Sequence, residues 1–206
     1  MMDLNLGPVL NVSRETSEKL EHYLSLLKKW NPVINLVSQN TLNDAASRHF
    51  QDSAQLMDLI PGKSRKLADL GSGGGFPGLV IAILAEESHP ELKVTLIESD
   101  QRKASFLRTV LRETQVDANV VCKRIMDLPA LAADILTARA LAPLPALCQF
   151  ASHHLKPTGI ALFPKGKTWG KELEDARAQW QFGYTAHTSK TDADAVVLEI
   201  RDLAHD

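Results

Sequence analysis

The sequence predicts an α/β fold with a mostly parallel, seven-stranded sheet behind an N-terminal helical appendage. Beyond about residue 60, short apolar runs alternate with segments of helical periodicity, which is typical of βαβ units with helices on both faces of a sheet. Before that point only helical periodicity is visible. We therefore expect an appendage over residues 1–60 and an α/β domain over residues 61–206.

The composition is that of an ordinary globular protein. Hydrophobic residues make up 44% and charged residues 23% of the 206 residues, unlike a disordered or membrane protein. No run reaches the ~18 apolar residues of a membrane span, and residues 1–10 lack a signal-peptide pattern, so we expect a cytoplasmic location. The formal net charge of −2 means that any nucleic-acid binding must depend on local clusters.

The appendage is predicted to hold two helices. The first covers residues 13–30, with Ser13 as its N-cap, and the Asn31-Pro32 step is expected to end it. The second covers residues 42–59, and Pro61-Gly62 ends the appendage.

The α/β domain is predicted to hold seven strands and four helices. The strands are expected near residues 66–70, 93–98, 118–122, 133–137, 159–163, 182–188 and 195–201. The helices are expected near residues 78–86, 100–114, 143–155 and 170–180. Because no helix separates the last two strands, we expect them to form a hairpin at or near the sheet edge.

The turn after the first predicted strand is rich in glycine. It reads Gly71-Ser72-Gly73-Gly74-Gly75-Phe76-Pro77-Gly78, and a helical segment follows at once. Glycines in such a turn let the backbone approach a ligand closely, and a proline suits the first helical turn. Five glycines in eight residues exceed what a tight turn needs, so we predict a ligand-binding loop that includes Ser72 and Gly73.

The ligand of this loop is predicted from charge. Residues 73–78 match G-x-G-x-x-G, so a dinucleotide oxidoreductase is an alternative. However, Asp69 at the strand end is expected to place a carboxylate beside the ligand. It would repel a pyrophosphate, whereas S-adenosylmethionine carries an ammonium and a sulfonium and no phosphate. We therefore predict S-adenosylmethionine in a Rossmann-like domain, and hence a methyltransferase.

Glu98 ends the next predicted strand, where both kinds of ligand need an acid that accepts hydrogen bonds from the ribose hydroxyls. It indicates an adenosine-type ligand without separating the two. The alternative is a solvated acid at a strand end.

Absent motifs narrow the methylation chemistry. Residues 137–142 after the fourth predicted strand lack the Pro-Pro loop that is common in methylation of exocyclic base amines. Methylation of pyrimidine C5 needs a thiolate on a loop, but Cys122 lies in a predicted strand and Cys148 in a predicted helix, and we interpret both as buried thiols. Neither belongs to a cluster with zinc spacing, so no metal site is expected. An atom with a free lone pair, such as guanine N7, needs only in-line placement against the sulfonium methyl. The lack of a recognisable catalytic base suits this last case.

Basic residues supply the candidate substrate contacts. Arg139 lies at the carboxyl end of the fourth predicted strand, where it could position a base or a phosphate. It is the one candidate catalytic residue, and the alternative is an arginine that caps local carbonyls or pairs with an acid. Lys165 and Lys167 follow the fifth predicted strand beside an aromatic residue, and they are the best candidates for a contact with RNA. Arg48 and His49 provide a second basic set in the appendage.

The sequence resembles the RsmG (GidB) family of ribosomal small-subunit methyltransferases from about residue 20 to residue 200. The resemblance depends on the glycine loop with Asp69 and on Lys29-Trp30-Asn31, Asn35-Leu36, Arg48-His49, Asp52-Ser53, Arg139-Ala140 and Lys165-Gly166. It implies a class I fold dependent on S-adenosylmethionine, and methyl transfer to N7 of the guanine at position 527 of 16S rRNA. The partner is then 16S rRNA or the small ribosomal subunit, and we expect a monomer.

The resemblance also implies cofactor contacts at Gly71, Phe76, the pair Ile125-Met126 and Arg139. The family usually has an acidic residue where this chain has Met126, so a side-chain carboxylate is not expected at the adenine, whereas backbone contacts at Ile125 and Met126 survive the change. Two alternatives stay open: a methyltransferase that acts on another RNA or a small molecule, and a non-catalytic module that binds S-adenosylmethionine.

Overall fold

The computed structural model describes residues 12–42 and 44–205, with a seven-stranded sheet at its centre. The strands are β1 (Lys66–Leu70), β2 (Lys93–Ile97), β3 (Asn119–Val121), β4 (Ala133–Thr137), β5 (Leu155–Lys165), β6 (Trp180–Thr188) and β7 (Val196–His205). They lie in the order β3-β2-β1-β4-β5-β7-β6. The first five pair in parallel, whereas β7 is antiparallel to both β5 and β6. The predicted fold class, with its hairpin at the sheet edge, is confirmed.

The helices pack on the sheet and make up the appendage. They are α1 (Arg14–Ile34), α2 (Gln39–Leu42), α3 (Asp52–Ala54), α4 (Gly78–Ser88), α5 (Gln101–Thr114), α6 (Leu144–His154) and α7 (Trp169–Arg177). A π-helical turn spans Ala46–Gln51, and 3-10 turns span Gln55–Leu59 and Ile125–Asp127. The expectation about residues 1–10 falls outside the part of the chain that the structure describes.

The strand order changes direction beside β1, with β2 and β3 on one side and β4 on the other. In an open parallel sheet this change opens a crevice at the carboxyl ends of the strands, where ligands bind. Gly71, Glu98 and Arg139 follow β1, β2 and β4 and so lie at this edge.

The appendage differs from its prediction in two ways. First, α1 continues through Pro32 to Ile34, so the predicted end at the Asn31-Pro32 step is wrong. The side chain of Asn31 is buried and accepts hydrogen bonds from the backbone N–H groups of Leu36 and Val37 at 2.8 and 2.9 Å, which stabilises the last turn despite the proline. Second, where one helix was predicted over 42–59, the described residues 44–59 form a succession of short α, π and 3-10 turns.

The appendage packs directly on the α/β domain. Tyr23 and Leu27 of α1 belong to one hydrophobic cluster with Phe106 of α5 and with β1 and β2. A second cluster, on other residues of the sheet, includes Leu144 and Cys148 of α6. The division at residue 60 stays a prediction about chain organisation, but the helices before it share their core with the sheet.

The two cysteines differ in burial. Cys148 is buried, and burial raises the pKa of its thiol to about 12. Cys122 is only half-buried because it follows the short edge strand β3, so the interpretation as a buried thiol is wrong for this residue.

In residues 12–42 and 44–205, no helix has the length and apolar character of a membrane span, and no three His, Cys, Asp or Glu side chains are grouped to hold a metal ion.

Candidate active site

The glycine loop between β1 and α4 adopts a backbone that needs glycine. Gly71 has φ of 64° and Gly75 has φ of 99°, in the left-handed region that side chains disfavour. A Cβ atom at Gly71 would overlap the side chain of Leu141, and one at Gly75 would overlap the hydroxyl of Tyr23. The glycines therefore let two other segments of the chain pack closely against the loop.

Tyr23 of α1 fastens the appendage to this loop. Its side chain is fully buried, and its hydroxyl donates a hydrogen bond to the carbonyl of Gly74. Its ring stacks on Phe76 with centroids 5.4 Å apart and meets Phe50 edge-on at 5.0 Å. Burial raises the pKa of Tyr23 well above its usual range, so the hydroxyl stays a proton donor. Tyr23 was not among the predicted site residues, because helical periodicity over residues 13–30 indicates only which positions are apolar.

Asp69 lies inside the fold, against the first residue of α4. The residue has no exposed surface, and its Oδ1 accepts a hydrogen bond from the Thr137 hydroxyl at 2.7 Å. A Cβ atom at Gly78 would overlap the Asp69 side chain. Burial raises the pKa of Asp69 to about 6, although the Thr137 hydrogen bond lowers it. The structure thus buries this carboxylate at the end of β1, whereas the sequence predicted it beside the ligand.

Glu98 is held rigidly at the end of β2. It is buried, its Oε2 accepts a hydrogen bond from the N–H of Gly73, and its Oε1 accepts one from the N–H of Asp100, both at 2.8 Å. A carboxylate has about four lone-pair sites, so each oxygen can still accept a ligand hydroxyl. The two backbone bonds fix the orientation of Glu98 and tie it to the glycine loop.

A cavity of about 910 Å³, which we term the loop cavity, lies beside these residues. Its walls combine the acid and the glycine backbone with apolar side chains: Gly71, Gly73, Glu98, Ile125, Met126, Leu141 and Phe150. The 3-10 turn Ile125–Asp127 forms part of the wall, and His154 of α6 holds it through a 3.0 Å hydrogen bond to the carbonyl of Ile125. Met126 is 45% exposed and offers no carboxylate.

A second cavity of about 1130 Å³, the Arg139 cavity, adjoins the first, since Ala140 and Leu141 line both. The guanidinium carbon of Arg139 lies 5.0 Å from the centroid of the Phe76 ring. Its Nη1 donates to Asp52 Oδ2 at 3.3 Å and to the carbonyl of Arg48 at 3.2 Å. Arg139 is therefore both paired with an acid and part of the cavity wall.

Comparison with known proteins identifies the family. The family model described as rRNA small subunit methyltransferase G matches residues 16–199. Two relatives are each named ribosomal RNA small subunit methyltransferase G. The one from Cereibacter sphaeroides is 48% identical over 100% of both chains, and the one from Ruegeria pomeroyi is 53% identical over 93% of both chains. The chain belongs to the rRNA small subunit methyltransferase G family. The resemblance found in the sequence and the predicted enzyme class, a methyltransferase, are confirmed.

Solved structures agree on the fold of this family member. The O-methyltransferase of Bacillus cereus, solved in complex with SAH, aligns with a TM-score of 0.62 over 97% of this chain and 96% of its own, at 13% identity. A putative O-methyltransferase of Klebsiella pneumoniae aligns with a TM-score of 0.61 over 97% and 96% of the two chains. At this level of identity the likeness concerns the fold alone.

The RNA contacts predicted for this family member divide into exposed and internal residues. Arg48 is exposed beside the Arg139 cavity, and the side chain of Lys167 is 83% exposed, 3.8 Å from Asp194. The side chain of Lys165 is only 9% exposed, because its Nζ contacts Glu172 at 2.7 Å and the Ala142 carbonyl at 3.0 Å. The RNA-binding role of these residues stays a prediction, and for Lys165 the ion pair competes with it.

His49, the fourth predicted RNA contact, is buried. Its Nε2 lies 3.0 Å from the Thr41 hydroxyl, and its ring centroid lies 5.0 Å from that of Phe76. Burial and then the charge of Arg139 lower the pKa of His49 to about 4, so it is neutral near pH 7. A neutral, buried imidazole attracts no phosphate, so the structure favours a packing role beside the glycine loop.

Proposed function

We propose that this protein transfers the methyl group of S-adenosylmethionine to N7 of the guanine at position 527 of 16S rRNA. Its membership of the rRNA small subunit methyltransferase G family supports the reaction class. The observation that carries the proposal is the pair of adjoining cavities at the carboxyl ends of β1, β2 and β4, which share Ala140 and Leu141. One cavity suits the donor and the other suits the nucleotide that receives the methyl group.

The loop cavity fits S-adenosylmethionine. Its volume of about 910 Å³ falls in the usual range for ligand sites, and it offers both apolar walls and a fixed acid. Glu98 would accept hydrogen bonds from the ribose hydroxyls, and the backbone of Ile125 and Met126 would lie against the adenine. When bound, S-adenosylmethionine supplies an electrophilic methyl group on its sulfonium. Asp69 adds a negative charge within the fold rather than a direct contact.

Guanine N7 needs no proton acceptor from the protein, because it carries an in-plane lone pair and is unprotonated at neutral pH. Four acids line the Arg139 cavity, namely Asp44, Asp52, Glu172 and Asp192. Of these, Asp52 is paired with Arg139 and Glu172 with Lys165, and a guanine N7 target requires none of the four to accept a proton. The residues around the cavity would thus align the base with the methyl group, which is the main requirement for direct displacement.

The RNA target is expected to be an unpaired or splayed-out guanine. The deep, narrow major groove of an RNA helix hides N7, so a paired guanine could not enter the cavity. Arg48 and Lys167 are the exposed cations that would contact the RNA backbone at this edge. We infer that the protein works in the cytoplasm on 16S rRNA or the small subunit, and as a monomer.

Mass-spectrometric mapping of 16S rRNA from cells with and without this protein tests the proposal. We expect one methyl group on the target guanine to be lost with the protein. A substrate with 7-deazaguanine at that position should accept no methyl group, and the rate should be nearly flat between about pH 6 and 9, because no catalytic group titrates there. Methylation of the 7-deaza substrate would show that another atom is the target.

A further inference from the structure

Asp52, at the start of α3, lies where three distant parts of the chain meet. Its Oδ2 accepts a hydrogen bond from Arg139 at 3.3 Å, and both side chains are less than a fifth exposed, at 18% and 17%. Its Oδ1 accepts bonds from Gln55 Nε2 at 2.9 Å and from the Thr191 hydroxyl, in the turn between β6 and β7, at 3.1 Å. Both oxygens of the carboxylate are therefore engaged.

The same contacts restrict the guanidinium of Arg139. The Phe76 ring of the glycine loop lies against it at 5.0 Å, and Nη1 also donates to the carbonyl of Arg48 at 3.2 Å. Both hydrogen bonds use Nη1, and a guanidinium carries further donors at Nε and Nη2. Arg139 itself lines the Arg139 cavity and is followed by Ala140 and Leu141, which line both cavities, so it lies beside the place where donor and acceptor would meet.

We propose that Asp52 is a positioning residue for methyl transfer, which acts by holding the Arg139 guanidinium in one orientation at the junction of the two cavities. The inference rests on the proposed function and on the predicted contact of Arg139 with a ligand. The planar fork of arginine gains from such fixation, because its donors keep a set geometry once one edge is held. Thr191 and Gln55 in turn hold the Asp52 carboxylate.

This role predicts a particular kinetic pattern. Asp52→Asn keeps the size of the side chain but removes the charge that orients Arg139. The guanidinium is then less neutralised and still attracts anionic groups of a ligand, while its geometry is lost. We therefore expect kcat to fall by about tenfold or more, since small misplacements of positioning groups cost up to about a hundredfold in rate, while donor affinity changes less than about threefold.

The experiment compares full-length variants on small ribosomal subunits from cells that lack the protein. Measurements are kcat, KM for each substrate and the Kd for S-adenosylmethionine by calorimetry. Asp117→Asn is the matched control, because Asp117 forms an exposed ion pair with Lys93, the first residue of β2, away from the carboxyl ends of the strands. We expect this control to leave all values unchanged. If Asp52→Asn does not fold, Asp52→Glu, which moves the charge by one methylene, should lower kcat at unchanged KM. An unchanged kcat in the folded variant overturns the role.

Introducing Asp52→Asn into an Arg139→Gln protein distinguishes a positioning role from a general loss of structure. In Arg139→Gln there is no guanidinium to orient, so adding Asp52→Asn should change kcat less than about threefold. An undiminished effect there overturns the inference. Separate 15N signals of the Arg139 guanidinium should merge in Asp52→Asn, and unchanged signals would also overturn it. That spectrum needs no RNA, so it tests whether Asp52 holds Arg139 even if the wild-type protein transfers no methyl group, a result that would refute the proposed function by itself.

Discussion

The contact between Tyr23 and the glycine loop gives a quantitative test of how the appendage supports the site. Tyr23→Phe removes one hydroxyl and leaves the carbonyl of Gly74 without its buried donor, which should destabilise the protein by about 1–3 kcal/mol. Gly75→Ala should cost about 1–3 kcal/mol for a side chain at a φ of 99°. The overlap of its Cβ with the Tyr23 hydroxyl adds about 1–3 kcal/mol.

The double variant distinguishes the two costs. Phe has no hydroxyl, so the overlap with residue 23 disappears, while the backbone strain and the close contact with Leu79 remain. The double variant should therefore be more stable than the sum of the single changes by at least about 1 kcal/mol, within the usual range of coupling between touching residues. Urea unfolding at constant m-value measures all three free energies of unfolding. Strict additivity, or a Tyr23→Phe variant as stable as wild type, would refute the assigned contact.

Three further predictions concern the donor, the RNA and pH. Glu98→Ala should weaken binding of S-adenosylmethionine about tenfold or more in calorimetry, because a charge-assisted hydrogen bond is lost; an unchanged Kd in a folded variant would remove Glu98 from the site. Lys167→Ala should lower the salt slope of RNA binding by about one unit, whereas Lys165→Ala should mainly lower the melting temperature because its ion pair is internal; equal salt slopes for wild type and Lys167→Ala would contradict this. The pKa of His49 is lowered to about 4 and that of Asp69 is raised to about 6, so His49 contributes stability that is lost as pH falls below about 6.5, and Asp69 contributes stability that is lost as pH rises through about 6. As pH rises from 4 to 6, the free energy of unfolding should therefore decrease in His49→Gln, where only Asp69 still titrates, and increase in Asp69→Asn, where only His49 does. Identical pH profiles for the two variants would exclude these opposite contributions.

The order of strands and helices in the α/β domain followed from the sequence with errors of a few residues. Strand β1 and helix α5 match their predicted ranges almost exactly at both ends, because period-2 and period-3.6 patterns are local properties. The appendage was predicted less well. The Asn31-Pro32 step was expected to end α1 after residue 30, but with Asn31 and Ile34 buried against the rest of the fold the helix continues for four more residues, to Ile34.

The sequence by itself determined the family, the α/β architecture, the glycine loop and the location of Glu98 and Arg139 at one sheet edge. Each of these depends on short segments whose residue types are legible along the chain. Only the tertiary structure decided which side chains face each other: Arg139 pairs with Asp52, 87 residues away, and Lys165 turns inward to Glu172. Such pairs depend on how helices and strands pack, because a charged group buried by packing must find an opposite charge wherever the fold brings one.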